Sequence, residues 1–440
     1  MTLDRRQFLR RAATGAAGLA ATAGSVAAAD GKGATAASGG GGADGAVVLP
    51  AYDPLAPEVF WAAVRAQYPL TPKLTYFNTG GLGPASTPAL EKSIAVARQL
   101  HERSEHGHGL LAGARATTAQ FLGAEPAEIA FVRNATEGNA TVAAGLKLGP
   151  GDEVIFETHA HPGGSFPWLQ QARLRGAVVK QFEPALASPE ENVERIRKLM
   201  TPRTRVVQVS HVTAPTGIVM PVDAIAALCR ARGVWFHIDG AQSAGMLPFA
   251  LKAIGCESFA TSGHKWLGGP HETGVLYVRR DRLDDVAPVL AGAYSGDIDA
   301  TTGEFKLTDT AVRYEYGTRN AAAVLGLAEA MKFQEAIGRD RIAARGRELA
   351  ARVRRGLERV PGVEILTPAA ASLAAAMITF RSAKVPHDVL FGRLLKDRQI
   401  RCRPVTEEKL NALRVSTHCF NTPAECDALA AGVAEILASA

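Results

Sequence analysis

Lys265 and Asp239 are the two residues whose types and surroundings most directly indicate chemistry. Lys265 follows the apolar run Ser258–Ser262 and is flanked by small and aromatic residues, unlike a typical solvated lysine. Such an amine can form a Schiff base, although a surface lysine at a strand end is commoner. Asp239 ends the run Trp235–Asp239, where a buried carboxylate needs a partner such as a protonated pyridine nitrogen, and Gln242 could donate to a phenolate on the same ring. Taken alone, Asp239 could equally cap the next helix.

Two further polar segments follow predicted strands. The segment Asn134–Asn139 opens a helical pattern, so its free backbone N–H groups and the Thr136 hydroxyl could bind a phosphate. A plain helix cap is the alternative.

His159 and His161 come after the predicted strand Glu153–Glu157, and either imidazole could stack on an aromatic ring. A surface loop or a metal pair would also explain them, but a metal needs a third ligand and none is spaced nearby, so we predict no metal site.

The elements that position these side chains form an alternating pattern. Short apolar runs alternate with helical patterns such as Pro189–Met200 and Val222–Arg232. This alternation predicts a mainly parallel sheet covered by helices, with the ligand at the carboxyl ends of the strands. The predicted strands are Glu128–Val132, Glu153–Glu157, Ala177–Phe182, Arg205–Ser210, Trp235–Asp239, Ser258–Ser262 and Gly274–Val278.

After Asn320 the sequence pattern changes. A long Ala- and Arg-rich helical pattern runs to about Arg359, and shorter strand and helix patterns follow to the end of the chain. We predict an α/β protein with a large domain over residues 56–318, whose first part could pack on the small domain. Residues 319–440 are predicted to form a connecting helix and a smaller C-terminal α+β domain.

Composition argues against several classes of protein. The chain has 440 residues and a formal net charge of +6, which gives no case for nucleic-acid binding. Its five cysteines include no CxxC pair, which argues against a zinc site and a full disulfide framework. No apolar run beyond the N-terminus is long enough to span a membrane, so we predict no stable membrane anchor.

Residues 1–29 have the layout of an export signal. Arg5 and Arg6 precede a weakly hydrophobic Ala/Gly stretch that ends in small residues at Ala29. The paired arginines predict the twin-arginine export machinery as a partner and a periplasmic or extracellular location. A disordered basic tail is the alternative. Residues 30–55 are predicted to be a flexible linker because they are rich in glycine and alanine.

Taken together, the phosphate segment, the histidines, Asp239 and Lys265 occur in one chain order, each just after a predicted strand. This set resembles the class V aminotransferase family of fold-type I PLP-dependent enzymes, in its isopenicillin N epimerase-like version. The resemblance covers roughly Lys73 to the C-terminus and implies pyridoxal 5′-phosphate (PLP) as cofactor, a fold-type I PLP-dependent transferase fold and a homodimer. The catalytic residues that it implies are Lys265, Asp239 and His161, with His159 as the alternative to His161. The implied cofactor-binding residues are Ala135, Thr136, His161, Asp239, Gln242, Ser262, His264, Lys265 and Thr318, and the implied substrate-binding residues are Arg414, Asn78 and Gly81.

The resemblance also gives individual residues their roles. Lys265 would hold the cofactor, Arg414 would bind a substrate carboxylate through its planar guanidinium, and Thr318 would touch the phosphate across a dimer interface. Cysteine desulfurases carry a nucleophilic cysteine shortly after the position of Arg403, and this chain has none there, so desulfurase activity is not expected. We expect an epimerase-like or β-eliminating enzyme acting at the α-carbon of an amino acid or amino-acid-derived substrate. A true aminotransferase and a non-catalytic PLP-fold binding protein remain alternatives.

Overall fold

The structure is a computed structural model that describes residues 47–439, so the predicted export signal and most of the predicted linker lie outside the described residues. Its strands are β1 (Thr75–Tyr76), β2 (Ile129–Val132), β3 (Glu153–Glu157), β4 (Val178–Phe182), β5 (Thr204–Ser210), β6 (Trp235–Asp239), β7 (Ser258–Ser262), β8 (Gly274–Val278), β9 (Gly296–Ile298), β10 (Phe305–Leu307), β11 (Val363–Ile365), β12 (Met377–Ser382), β13 (Ile400–Arg401), β14 (Arg403–Val405) and β15 (Ala412–Ser416). Its helices are α1 (Pro57–Arg65), α2 (Thr87–Arg103), α3 (Leu111–Leu122), α4 (Ala135–Gly145), α5 (Pro162–Arg175), α6 (Pro189–Leu199), α7 (Val222–Ala231), α8 (Leu251–Ile254), α9 (Ala321–Ile337), α10 (Arg339–Leu357), α11 (His387–Arg398) and α12 (Pro423–Ala438).

The central sheet contains β2 to β8 in the order β2-β8-β7-β6-β5-β3-β4. Strands β3 to β7 pair in parallel, whereas β8 runs antiparallel to both of its neighbours. Strands β3, β6, β7 and β8 are buried along their whole length, as expected for a sheet with helices on both faces. The predicted mainly parallel sheet is confirmed, and each predicted strand begins and ends within one residue of its predicted bounds.

The C-terminal part of the chain forms a second, antiparallel sheet in the order β11-β12-β15-β14. Helices α10, α11 and α12 pack on it, and its core includes Val353, Phe380, Leu394 and Val433. Phe77, just after β1, belongs to the same core, and β1 pairs in parallel with β13. The N-terminal elements therefore pack on the C-terminal ones, which brings the loop after β1 close to β15.

The long helical pattern predicted after Asn320 forms two consecutive helices, α9 and α10, rather than one continuous helix. Helix α9 begins after Asn320, whose side chain accepts a hydrogen bond from the N–H of Ala323, and it ends before Gly338. Gly338 has a φ of 95°, a conformation that glycine adopts readily and that no helix contains. The Ala/Arg pattern continues past this glycine, which is why periodicity alone did not show the break. None of the helices in the described part of the chain has the length and apolar character that a membrane span requires.

Candidate active site

A cavity of about 350 Å³ lies where the carboxyl ends of the central strands meet the C-terminal sheet. Parallel strands expose their last residues and the following loops at one edge, which is the usual ligand site of such sheets. Strands β6 and β7 and the starts of α4 and α5 supply one side, and β14 and β15 supply the other. The lining residues are Gly80, Gly81, Asn134, Thr136, His161, Ala214, Gln242, Ser262, His264, Lys265, Arg403 and Arg414.

Lys265 lines this cavity in the tight segment after β7. Burial lowers the pKa of its ammonium group to about 8, with further lowering by the charges of Arg414 and Arg403, while Asp239 opposes the shift. The backbone around it is held from two sides. The carbonyl of Trp266 accepts hydrogen bonds from Gln334 (2.6 Å) and from Nε2 of His418 (2.9 Å). Lys265 therefore projects from a firmly held backbone segment, and its amine loses its proton more easily than that of a surface lysine.

Asp239 ends β6 and is held by a buried chain of hydrogen bonds. Its Oδ2 accepts from the Asn139 amide at 3.1 Å, and its Oδ1 accepts from the N–H of Ala241 at 3.0 Å. Asn139 Oδ1 lies 2.9 Å from Nε2 of His237, and Nδ1 of that ring lies 2.8 Å from Ser258 Oγ. Burial lowers the pKa of His237 to about 3, so the neutral ring donates to Asn139 and accepts from Ser258. This chain fixes the carboxylate as a hydrogen-bond acceptor.

Gln242 faces the cavity with its amide orientation fixed. Trp266 donates its indole N–H to Gln242 Oε1 at 2.8 Å, and Gln242 Nε2 donates to the carbonyl of Gly80 at 2.8 Å. An amide nitrogen carries two N–H groups. One of them is used by Gly80, so the second is available to a ligand in the cavity.

The predicted phosphate site lies at the start of α4. Thr136, Ser262 and His264 all line the cavity, and Nδ1 of His264 is buried without a protein partner. The N–H of Ala135 donates to Ser262 Oγ at 3.0 Å, so it orients that hydroxyl and is not itself free for a ligand. A helix N-terminus with a threonine hydroxyl and an unpartnered ring nitrogen suits a phosphate group.

The structure separates the two candidate stacking histidines. His161 lines the cavity, and its Nδ1 accepts a hydrogen bond from the N–H of Gly163 at 3.0 Å. His159 Nδ1 instead lies 2.9 Å from the hydroxyl of Thr216, and His159 is not among the described residues that line the cavity. Burial lowers the pKa of both imidazoles, which favours the neutral rings that stack well. The geometry therefore favours His161.

The guanidinium of Arg414 lines the cavity, and only part of its hydrogen-bonding capacity is used by the protein. It is buried to 1% exposure, and its Nη1 donates to the carbonyl of Ala214 at 2.7 Å. Its Nε and Nη2 are buried without protein partners. A side-chain carbon at Gly80 would lie 2.8 Å from Nη2, so this glycine keeps the guanidinium open. Buried unpaired donors are costly unless a ligand satisfies them, and a planar guanidinium suits a carboxylate.

The loop after β1 provides the other predicted substrate residues. Gly81 lines the cavity, whereas Asn78 is not among the lining residues of the described chain and forms a bridge to Ser416. Oδ1 of Asn78 is buried without a partner, and a side-chain carbon at Gly81 would lie 2.6 Å from it. Asn78 therefore stands behind Gly81 rather than in the cavity wall.

Thr318 lies apart from the cavity of its own chain. It is exposed in the segment before α9, and it is not among the described residues that line the cavity. Its predicted contact is with a neighbouring subunit's site, so its distance from its own cavity does not test that prediction.

Sequence reasoning missed several residues of the site. Arg403 lines the cavity beside Arg414, and Glu407 chelates its guanidinium with distances of 2.5 and 3.3 Å. Asn139 was noted only as part of the α4 segment. Its contact with Asp239 spans 100 positions, so no local pattern could reveal it. The sequence did contain a signal for Arg403. Alternate residues of a strand point to opposite faces, and in β14 Arg403 lies on the face that is turned toward the site.

The cavity contains the groups that a PLP molecule requires: an amine, a carboxylate held by hydrogen bonds, a phosphate-binding helix start and an imidazole that can stack on the ring. These features define a site of the fold-type I PLP-dependent class. The chain belongs to the class V aminotransferase family, whose model, described as "Aminotransferase class-V", matches residues 88–429. Membership confirms the predicted fold class, the prediction of an enzyme and the PLP cofactor.

The similar proteins carry more than one activity. The chain is 34% identical to the isopenicillin N epimerase of Amycolatopsis lactamdurans, over 86% of this chain and 98% of that protein. It is 28% identical to a probable cysteine desulfurase of Pyrococcus abyssi, over 86% of this chain and 97% of that one. A solved structure of a C-DES variant, with glycine covalently linked to its PLP cofactor, is 27% identical with a TM-score of 0.78 and covers 84% of this chain and 99% of that one. Another structure of C-DES describes it as a cystine C–S lyase.

Proposed function

We propose that this protein acts at the α-carbon of an amino acid or amino-acid-derived substrate, by epimerisation or by β-elimination. The observation that carries the proposal is the shared cavity of Lys265 and Arg414. One is a buried amine whose pKa is lowered to about 8, and the other is a buried guanidinium with two unpartnered nitrogens. A base and a carboxylate anchor on one cavity are what removal of an α-proton needs.

Each proposed cofactor residue has a structural reason for its task. Asp239 would keep the pyridine nitrogen protonated, and Gln242 would donate its spare N–H to the ring phenolate. Thr136, Ser262 and His264 would bind the phosphate. When bound, PLP supplies an electron sink that stabilises negative charge at the α-carbon. His161 would cover the ring face and exclude water from it.

The proposed proton transfer uses Lys265 and Arg414 together. Arg414 binds the substrate carboxylate through the nitrogens that face the cavity, and this fixes the position of the α-carbon. Lys265, once free of the cofactor, takes the α-proton as a neutral amine, because burial disfavours its charged form. The face and the atom that receive the next proton then decide the product.

Two observations favour epimerisation or β-elimination over other outcomes of that step. The chain is 34% identical to an isopenicillin N epimerase but 28% identical to the cysteine desulfurase of Pyrococcus abyssi, and a C–S lyase shares the fold. A true aminotransferase remains the main alternative. Desulfurase activity is disfavoured because it needs a reactive thiolate, and burial raises the pKa of the nearby Cys402 to about 12.

The proposal is tested by incubating the loaded enzyme with L- and D-amino acids and cysteine S-conjugates in D₂O. We expect deuterium at the α-carbon together with either inverted chirality or a released β-substituent. Lys265→Ala should abolish steady-state turnover while the protein remains folded. Exchange that persists in Lys265→Ala would refute the role of the lysine. Bound PLP without exchange for any substrate would favour a non-catalytic binding protein, and protein persulfide formed from cysteine would favour a desulfurase.

We also propose that the active protein is a homodimer in which Thr318 contacts the partner subunit's phosphate site. A second cavity of about 660 Å³ adjoins that site and shares Thr136 and Asn134 with it. Val289 and Leu290 line it and are 58% and 55% exposed. A groove with exposed apolar side chains beside the phosphate site suits a segment from a second copy. A monomer with full activity in sedimentation would remove this proposal.

We further propose export through the twin-arginine pathway, supported only by the sequence of residues 1–29. This pathway carries folded proteins, so the cofactor would be loaded before export. The full chain expressed with its own N-terminus should appear outside the cytoplasm, and replacing Arg5 and Arg6 by lysine should retain it inside. Equal distribution of the two proteins would contradict the proposal.

A further inference from the structure

Arg403 and Arg414 lie directly opposite each other on neighbouring antiparallel strands. They are Cα partners in the β14–β15 pair, and both line the candidate active-site cavity. Residues opposite each other on such strands place their side chains on the same face, and like charges at that spacing destabilise the sheet. The two arginines also lower the pKa of Lys265 through their charges. The chain thus keeps an unfavourable cluster of cations at the cavity wall.

One carboxylate offsets this cluster only in part. Glu407 chelates Arg403 with both oxygens, at 2.5 and 3.3 Å, and the side chains are 25% and 18% exposed. Among the described residues, no carboxylate pairs with Arg414, whose Nε and Nη2 are buried without partners. A single bound carboxylate would pair with Arg414 alone. Arg403 would remain beside it, paired with Glu407, whose side chain is itself partly exposed.

The contact between Arg403 and Glu407 shows what Arg403 is shaped to accept. A guanidinium presents two parallel N–H groups that match the two oxygens of a carboxylate. Glu407 lies in the turn just after β14, four residues from Arg403, and takes no part in the pairing of β14 with β15. Because both arginines line one cavity, a ligand with two carboxylates has a matching guanidinium for each.

We propose that Arg403 is a second anion-recognising residue of this pocket, and that the substrate is an α-amino acid or derivative that carries a second carboxylate. Arg414 would bind the carboxylate next to the reacting carbon, and Arg403 would bind the distal one in place of Glu407. This proposal rests on the proposed function for the amine chemistry, but the anion pair can be measured without it.

The test compares glutarate with pentanoate, two ligands of similar length that lack an amine, by calorimetric titration of the PLP-loaded protein. We expect glutarate to bind about ten-fold or more tightly than pentanoate, because only glutarate engages both arginines. Arg403→Gln should reduce this preference to about two-fold or less, and Arg403→Lys should leave an intermediate preference. Arg381→Gln is the matched control, since Arg381 pairs with Glu364 on the same sheet away from the cavity.

Glu407→Gln gives a prediction of opposite sign. It removes the competitor for Arg403, so glutarate should bind several-fold more tightly while pentanoate binding changes little. A merely structural Arg403–Glu407 pair would instead weaken both ligands or neither. This variant also carries the test if Arg403→Gln does not fold.

The two proposals fail in different ways. Amino-acid turnover with equal affinity for glutarate and pentanoate would overturn the second-carboxylate proposal alone. A strong glutarate preference that Arg403→Gln abolishes, without α-proton exchange in any amino acid, would overturn the proposed function and leave the anion pair. An unchanged preference in Arg403→Gln would also overturn the role of Arg403.

Discussion

At the scale of single residues, Lys265 and Asp239 are buried charges that the protein supports in different ways. Asp239 accepts hydrogen bonds from Asn139 and from the N–H of Ala241, so its charge is satisfied. The charge of Asp239 only partly offsets the effect of burial on the pKa of Lys265, and the nearby arginines add to the lowering. The result is a hydrogen-bonded acidic side chain beside an amine that gives up its proton, which is the division of roles that the proposed chemistry requires.

The lowered pKa of Lys265 predicts a pH-dependent stability. The folded group has a pKa of about 8 and its ordinary value is 10.5, so between these pH values the unfolded chain binds a proton that the folded chain lacks. The free energy of unfolding of the cofactor-free protein should therefore gain a rising contribution from about pH 8 to pH 10.5, of at most roughly 3 kcal/mol. Lys265→Met should remove this contribution. Identical slopes for both proteins in denaturant titrations across this range would contradict the pKa assignment.

At the scale of elements, the site depends on loops that the sequence pattern describes poorly. The apolar runs predicted β2 to β8 because a buried parallel sheet needs continuous apolar strands. The loop after β1 has no such pattern, since its position is set by distant partners. Gly83 donates its N–H to the carbonyl of His264 at 2.8 Å, and Asn78 bridges to Ser416. The apolar pattern therefore placed Lys265 just after its strand, whereas only the family resemblance indicated the loop that closes over it.

The close approach of this loop predicts a position-specific effect of glycine substitution. A side-chain carbon at Gly83 would lie far inside van der Waals contact with the carbonyl oxygen of Lys265. Gly83→Ala should therefore displace the loop, lower stability by roughly 1–3 kcal/mol and weaken PLP binding. Gly113→Ala is the control, because Gly113 lies in α3 with open space around it and should be neutral or stabilising by about 0.5–1 kcal/mol. Similar melting temperatures and PLP affinities for the two variants would show that the loop does not pack as described.

At the scale of the whole molecule, the cavity exists only where the central sheet meets the C-terminal sheet. Arg414 on β15 donates to the carbonyl of Ala214 after β5, and Thr379 on β12 donates to the carbonyl of Pro215. Motif order predicted the family and most cavity-lining residues, because their types follow from the chemistry. It did not predict that Arg403 lies beside Arg414 at the cavity, because the pairing of β14 with β15 leaves no local pattern.

A shared site between subunits predicts complementation of two inactive variants. Lys265→Ala removes the base, and Thr318→Arg should block the contact that Thr318 is proposed to make with the partner subunit. After the two proteins are mixed and allowed to exchange subunits, one site of each heterodimer would contain both native residues. Activity should then return to about one quarter of the wild-type value, since half of the dimers carry one working site of two. No recovery despite demonstrated subunit exchange would contradict a site built from two chains.

The central claim is that Lys265 is the amine that holds the cofactor. The most direct measurement is borohydride reduction of the PLP-loaded protein, followed by digestion and mass spectrometry of every lysine peptide. The account predicts that the reduced cofactor is attached to Lys265 in nearly stoichiometric amount, and that Lys265→Ala binds PLP without this attachment. Attachment to another lysine, or tight PLP binding with no reducible attachment in the native protein, would contradict it.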